Sequence, residues 1–257
     1  MLAVLVVATG ACGSSVSPSA PVVAAGTTVV DNGVVKYLVE ASPGLGAARV
    51  VAATSAEALE LLQQGAADLA IVHAPDRLAA FTQRHEDAST GTLFGTRFVL
   101  VGPPETASAY DGLTAPEAFA AIARDGAPFV TRADGSGTYE SEIGVWAASG
   151  IDPAGAPWLI TTGQGMGFTL QVALVRKAFV WVEEGTLAAS SLAETLRIVQ
   201  IADADRYDNV YTAVWLVDTS DRLADFVGWV GSNAGTAAIS AMNSSLFGRG
   251  VVVPPTE

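Results

Sequence analysis

A chain of 257 residues, half of them apolar and only 15% charged, holds enough hydrophobic material for one large domain or two lobes. Twenty-six acidic residues against 13 Lys plus Arg give a formal net charge of −13. The cations are scattered singly, which excludes a nucleic-acid surface, and no apolar run reaches the length of a membrane span.

The first 25 residues read as a leader. MLAVLVVATGA is apolar and ends in small residues, Cys12 follows, and GSSVSPSAP forms a Ser/Pro-rich tether. That order resembles a bacterial lipoprotein signal with Cys12 as the acylated residue. As the single cysteine, Cys12 has no internal disulfide partner.

From Gly26 onward strand and helix patterns alternate. ARVVAAT (48–54) reads as a strand, and TSAEALELLQQG as a helix burying Ala58, Leu61 and Leu62 before a stop at Gly65. DLAIVHA (68–74) and TRFVLVG (96–102) read as strands. APEAFAAIARDG (115–126) reads as a helix with Phe119, Ile122 and Ala123 on one face. FVTR (129–132) is a strand running into DGSGT, and the helix after it places Tyr139, Ile143, Trp146 and Ala147 on one face until Gly150. GQGMGFTLQVALVRK starts another helix, AFVWV (178–182) and YTAVWLV (211–217) are strands, and one or two helices close the chain. The alternation predicts an α/β fold with mainly parallel sheets. No flexible linker divides the interior, so two lobes must be joined by ordered crossovers. TRFVLVGPP and YTAVWLVD are the candidates, giving one lobe from 26–100 with 213–257 and a second from 101–212.

Four helix starts are rich in hydroxyls. Thr28 is the expected N-cap of the first, with Asp31 three residues on, and Thr54 opens TSAE, a capping box with Glu57. Ser136 or Thr138 enters the third, and TGQGMG opens the fourth. Helix N-termini expose unpartnered N–H groups and a partial positive charge, so they attract anions. In TRADGSGT, Gly135 and Gly137 let the backbone approach a ligand, Arg132 supplies a two-pronged contact, and Asp134 orients the guanidinium.

Other chemistries have less support. His73 ends an apolar strand, where a hydrogen-bonded structural role is expected, and His85 in QRHED reads as solvated surface. Neither has the spacing of a metal site. Ser136 lies outside the G-x-S-x-G elbow of a hydrolase. Glu183 and Glu184 read as a surface pair at a strand end. Trp146 and Trp158 read as core, with a place in a cleft as the alternative.

TRADGSGTYESEIGVWAASGIDP and PWLITTGQGMGFTL, with GAADLAIVHAP and TRFVLVGPP upstream, resemble the tungstate-binding proteins of TupA-type ABC importers. The resemblance implies a two-lobed type II periplasmic-binding-protein fold that closes on an oxyanion and hands it to a membrane permease. It implies an extracytoplasmic monomer with no cofactor and no enzymatic activity. It implies ligand contacts from Thr28 and Thr54 in one lobe and from Arg132, Ser136, Gly137 and Thr138 in the other, supported by Asp134, Gln164 and Gly165. Three departures bear on the ligand. Val29 and Val30 replace hydroxyls of the family's first loop, so Val29→Thr is expected to strengthen tungstate binding. Tyr139 and Glu140 replace a usual His and Lys, and Phe168 occupies a usually small or polar position. The alternatives are a binder or sensor of phosphate, sulfate or a carboxylate, and a hydrolase using Ser136.

Overall fold

The computed structural model describes residues 20–217 and 221–255; the expected signal and the acylation site at Cys12 lie outside them. Its strands are β1 (Val22–Gly26), β2 (Arg49–Ala53), β3 (Leu69–Val72), β4 (Ala88–Gly102), β5 (Phe129–Thr131), β6 (Leu159–Thr161), β7 (Phe179–Glu183), β8 (Arg197–Ile198) and β9 (Asp208–Leu216). The helices of the N-terminal half are α1 (Thr27–Asp31), α2 (Val34–Ala41), α3 (Ser55–Gln63), α4 (Pro75–Arg84), α5 (Pro104–Ala107) and α6 (Ala115–Asp125). Those of the C-terminal half are α7 (Gly137–Ser149), α8 (Met166–Arg176), α9 (Glu184–Ala189), α10 (Asp221–Val230) and α11 (Asn233–Leu246). No described helix is long and apolar enough to cross a membrane.

The strands run in the order β2-β1-β3-β9-β4-β7-β5-β6, with β8 pairing β4 off this path. Pairing is parallel at one end (β2-β1-β3) and at the other (β6-β5-β7). The two long strands between them, β4 and β9, are antiparallel to each other and to their neighbours. Residues 88–97 of β4 pair with β9 in a first sheet, and Phe98–Val101 pair with β7 in a second. Of the two segments expected to be crossovers, TRFVLVG in β4 pairs in both sheets, while YTAVWLV in β9 pairs only in the first, against β3 and β4. β4 starts well before TRFVLVG because ASTGTLFG, whose glycines obscure a strand pattern, also pairs with β9. A Cβ on Gly91 would lie 2.4 Å from Val227 Cγ1, so glycine lets α10 press on the strand.

Alternation along each strand sends side chains to opposite faces, and each sheet has a core on both. In β1, Val23 and Ala25 join a cluster with Leu38, Phe94, Phe226 and Met242, while Ala24 faces Leu59, Leu62 and Phe81. In β7, Phe179 and Trp181 join Phe119, Phe129 and Trp146, while Val180 and Val182 face Val101, Val130 and Leu170. Trp158 packs on Trp146 at a centroid distance of 5.4 Å, so both tryptophans belong to the core and its margin.

Several expectations need correction. The tether does not run to residue 25: VVAAG is strand β1, flanked on both sides, with Val23, Ala24 and Ala25 fully buried. The buried stripe of α7 is Thr138, Glu142, Val145 and Trp146, and Ile143 is 46% exposed. The pattern missed it because the stripe includes a carboxyl, which accepts the indole N–H of Trp146 at 3.3 Å. Glu183 and Glu184 are not a surface pair. Glu183 ends a central strand with no exposure, and Glu184 opens α9 between the guanidinium groups of Arg97 and Arg249. Val29 is fully buried in the first core, so its side chain faces apolar neighbours and a hydroxyl there would not reach a ligand. His85 is half-buried, stacked on Phe81 at 4.3 Å.

The C-terminal segment is stitched back onto this frame. Asn243 Oδ1 accepts the N–H groups of Val251 and Val252, and its Nδ2 donates to the Val252 carbonyl at 2.7 Å. Gly95 and Val253 exchange backbone hydrogen bonds of 2.9 and 2.8 Å.

Candidate functional site

The site begins where β5 ends. Arg132 follows the strand and is only 4% exposed, an unusual depth for a guanidinium. Ala133 takes a left-handed φ of 49° and Gly135 a φ of 69°, which folds the chain back on itself. A non-glycine residue in that region is strained. The fold brings Asp134 Oδ2 to 2.9 Å from Arg132 Nε and 2.5 Å from Nη2, while Asp134 Oδ1 accepts the Ser136 N–H at 3.1 Å. The hydrogen bonds from Ser136 and the charge of Arg132 outweigh burial and lower the Asp134 pKa, so this carboxylate stays ionised. Two of the guanidinium's five N–H donors are thereby used and three remain for a ligand. Asp134 thus orients Arg132, as the sequence suggested.

Arg132 and Asp134 form part of the wall of a cavity of about 400 Å³. Thr27, Thr28, Asp31 and Asn32 of α1 and its following turn, with Thr54 at the start of α3, supply the wall on the first-sheet side. Gly165, Met166 and Gly167 at the start of α8 supply the opposite wall, and Thr186, Ala189 and Ser190 complete it. Thr54 is the N-cap of α3: its hydroxyl accepts the Glu57 N–H and its own N–H donates to Glu57 Oε2 at 2.8 Å. The hydroxyl proton of Thr54 is left free to donate. α8 is capped by Gly165 with no side-chain bond, so its first N–H groups have no side-chain acceptor.

Thr28 is not an N-cap. α1 begins after Gly26, so Thr28 lies within its first turn and Asp31 ends it as an exposed residue. The Thr28 hydroxyl is 3.1 Å from the Tyr211 hydroxyl, and Tyr211 lies 2.6 Å from Glu183 Oε2. Asn209 Nδ2 donates to the same oxygen at 3.4 Å, while Asn209 Oδ1 meets His73 Nδ1 at 3.1 Å. His73 stacks on Tyr211 at 4.8 Å. Burial lowers the His73 pKa to about 4, so it is a neutral structural histidine. Burial raises the Glu183 pKa.

Of the residues expected at the site, the cavity gathers Thr28, Thr54, Arg132, Asp134 and Gly165. Ser136 is the N-cap of α7, its hydroxyl accepting the Tyr139 N–H at 3.4 Å. Thr138 is 1% exposed with its Oγ1 unpartnered, Gln164 is exposed, and none of these three lines the cavity. Gly137 lines a different space of about 520 Å³, with His73, Asp76, Glu140 and Asp208. That larger cavity has three carboxylates and no Lys or Arg in its lining, so it disfavours an anion. Sequence reasoning missed Thr27, Asn32 and Thr186. Thr27 sits beside Thr28 in GTTVVDNG; Thr186 follows the acidic pair, whose burial is a tertiary effect. The side-chain Nδ2 of Asn32 and Oγ1 of Thr186 are buried without hydrogen-bond partners among the described residues. Among the described residues, no group of three or more His, Cys, Asp or Glu is placed to hold a metal ion.

Residues 13–234 match the family model of the PBP superfamily domain. The chain belongs to the PBP (periplasmic-binding-protein) superfamily. It is 25% identical over 248 residues to the tungstate-binding protein TupA of Peptoclostridium acidaminophilum, covering 91% of this chain and 85% of that one. A 134-residue stretch is 36% identical to a Haloferax volcanii protein provisionally named as an ABC transporter anion-binding protein. That match covers 52% of this chain and spans only 39% of the archaeal protein's length. The solved structure of TupA from Desulfovibrio alaskensis superposes with a TM-score of 0.79 at 27% identity, over 93% of this chain and all of that one. The mixed sheets with flanking helices agree with the PBP superfamily fold.

Proposed function

We propose that this chain is the extracytoplasmic solute-binding protein of an ABC importer, and that it captures a small oxyanion, tungstate foremost, beside Arg132. The observation that carries the reading is a buried guanidinium, aimed by Asp134, in a cavity walled by threonines and by the starts of two helices. The TupA relatives and the provisionally named anion-binding protein support the same ligand class. In this reading one lobe is built around the first sheet, β1, β2, β3 and β9 with residues 88–97 of β4, and the other around the second, Phe98–Val101 with β5, β6, β7 and β8. The β4–β9 ribbon carries the bend that closes them, and the closed form is handed to a membrane permease. The role is capture, not catalysis.

Tungstate carries no proton at neutral pH, so its site needs donors only. Hydrogen bonds to a charged group contribute roughly 1.5–3 kcal/mol each, and five or six would give about 8–18 kcal/mol before the cost of closure. Micromolar affinity requires about 8 kcal/mol. The proposed donors are the free N–H groups of Arg132, the hydroxyls of Thr27, Thr28, Thr54 and Thr186, Asn32 Nδ2, and the first amides of α8. Local donors must do this work, because the chain as a whole carries a formal charge of −13.

One feature supports a second reading. Asp31 puts a carboxylate into the wall, and a carboxylate accepts a hydrogen bond from a protonated oxyanion such as hydrogen phosphate but repels a bare dianion. Titration calorimetry with tungstate, molybdate, sulfate and phosphate separates the two. Tungstate or molybdate binding that Arg132→Ala abolishes supports the first reading. Phosphate binding alone, lost on Asp31→Asn, supports the second. Unaltered affinity in Arg132→Ala rejects the site.

A further inference from the structure

Behind the cavity wall lies a chain of three side chains whose purpose is not met by packing. Glu183 has no exposed surface, and its Oε1 has no hydrogen-bond partner. Its Oε2 is 2.6 Å from the hydroxyl of Tyr211, itself fully buried, and that hydroxyl is 3.1 Å from Thr28 Oγ1 at the cavity. A tyrosine or threonine hydroxyl has one proton to donate. The direction of the chain is therefore fixed by whether Glu183 carries a proton on Oε2, the oxygen within reach of Tyr211. An ionised Glu183 draws the Tyr211 proton toward itself, Tyr211 then accepts from Thr28, and Thr28 has no proton left for a ligand. A neutral Glu183 donates to Tyr211, Tyr211 donates to Thr28, and the Thr28 hydroxyl is free to donate into the cavity.

We propose that Glu183, acting through Tyr211, is a positioning residue that aims the Thr28 hydroxyl at the bound oxyanion, so that anion binding is linked to a proton held on Glu183. This rests on the reading of the cavity as an oxyanion site. The proton is conserved: where Glu183 is ionised in the empty protein, binding draws one proton from solvent onto its carboxyl, and no covalent bond changes.

The surroundings favour the neutral form. Charging a buried carboxyl with one unpartnered oxygen is costly. From β9, Asn209 donates to Oε2, while Thr96 of β4 shares that amide at 3.3 Å. His73, behind Asn209, is neutral. Glu184, next in sequence, is occupied by Arg97 and Arg249. Arg132 is the positive charge opposing neutralisation, and Asp134 offsets it. Burial prevails and raises the Glu183 pKa.

The test uses the whole protein and sodium tungstate, across the pH range in which the ¹³C shift of the ligand-free Glu183 carboxyl reports its titration, in buffers of differing ionisation heat. Wild-type affinity is expected to weaken as pH rises through the Glu183 pKa, with proton uptake on binding. Glu183→Gln is expected to give a flat profile. Tyr211→Phe breaks the chain and is expected to flatten it as well, although Glu183 can still titrate. Thr28→Val is expected to lose roughly ten- to hundredfold in affinity at the lower pH, the worth of one hydrogen bond to a charge. A flat wild-type profile overturns the proposal, as does a slope that persists in Tyr211→Phe. The ¹³C shift of the Glu183 carboxyl in the ligand-free protein gives a second arm. A carboxyl that is ionised at the lower pH in the ligand-free protein and takes up no proton when tungstate is added overturns the proposal. A neutral one with no tungstate, molybdate, sulfate or phosphate binding shows that the oxyanion reading has failed.

Discussion

The imidazole of His73 stands where a side chain on Gly137 would have to go: a Cβ there would lie 2.3 Å from Cε1 and 2.7 Å from Nε2. His73 follows β3 of the first sheet and Gly137 opens α7 beside the second, so this contact joins elements of both. His73 cannot easily give way, being bonded to Asn209 and stacked on Tyr211. Gly137→Ala should destabilise the protein by about 1–3 kcal/mol, as overpacking of a closed contact does. Denaturant unfolding would measure it, and His73→Ala in the same chain should recover part of the loss. Additive losses would show that the two residues do not press on each other.

Charge alone should not suffice at position 132. Lysine keeps the charge but loses the planar fork that two bonds to Asp134 Oδ2 hold in place. Arg132→Lys is expected to weaken tungstate binding at least about tenfold, roughly 1.4 kcal/mol. Calorimetry at constant pH reads this directly, and wild-type affinity in the lysine variant would mean that orientation is unimportant.

Two buried groups shape stability on opposite flanks of pH. For His73 the folded pKa is lowered by burial from 6.5 to about 4, so its contribution is present above 6.5 and is lost as pH falls toward 4. For Glu142 burial raises the pKa from 4.5 to about 8, so its contribution is present below 4.5 and is lost as pH rises toward 8. In ligand-free protein, Glu142→Gln should reduce the decline of Tm on the alkaline side, and His73→Gln the decline on the acid side. Curves parallel to wild type on both flanks would contradict the assignment.

Val29→Thr should lower stability by about 1–3 kcal/mol, because it places a hydroxyl among Val34, Leu38 and their neighbours. Tungstate affinity should not improve. Thermal unfolding and calorimetry on one preparation check both, and tighter binding would mean that residue 29 reaches the cavity.

Much of this was legible in the residues because the signals were local. Thr54 with Glu57, Gly150 after α7 and the turn TRADGSGT each depend on chain neighbours, and each was read correctly as local structure. The buried carboxyls were not legible. Glu142 and Glu183 follow polar or strand-end patterns that ordinarily face water: the partner that reveals Glu183, Tyr211, is far along the chain, and Glu142 is buried on the face of α7 that also holds its partner Trp146. Thr28 is not the N-cap that its sequence position suggests, and its place in the cavity wall comes from the first turn of α1. Val29 misled because adjacent residues in a short helix point in different directions, one to the cavity and the next to the core.

The order of strands also governs how the molecule can be made. β1 to β3 come from the first third of the chain, but the strand that covers the free side of β3 is β9, which starts at Asp208. The strands of the second sheet, from β5 to β8, all lie between them and emerge earlier during synthesis. A nascent chain therefore carries a half-built apolar sheet with an uncovered side until nearly its whole length has been produced. A truncation just before Asp208 would make that exposure permanent, and aggregation, not a smaller soluble binder, is its natural fate.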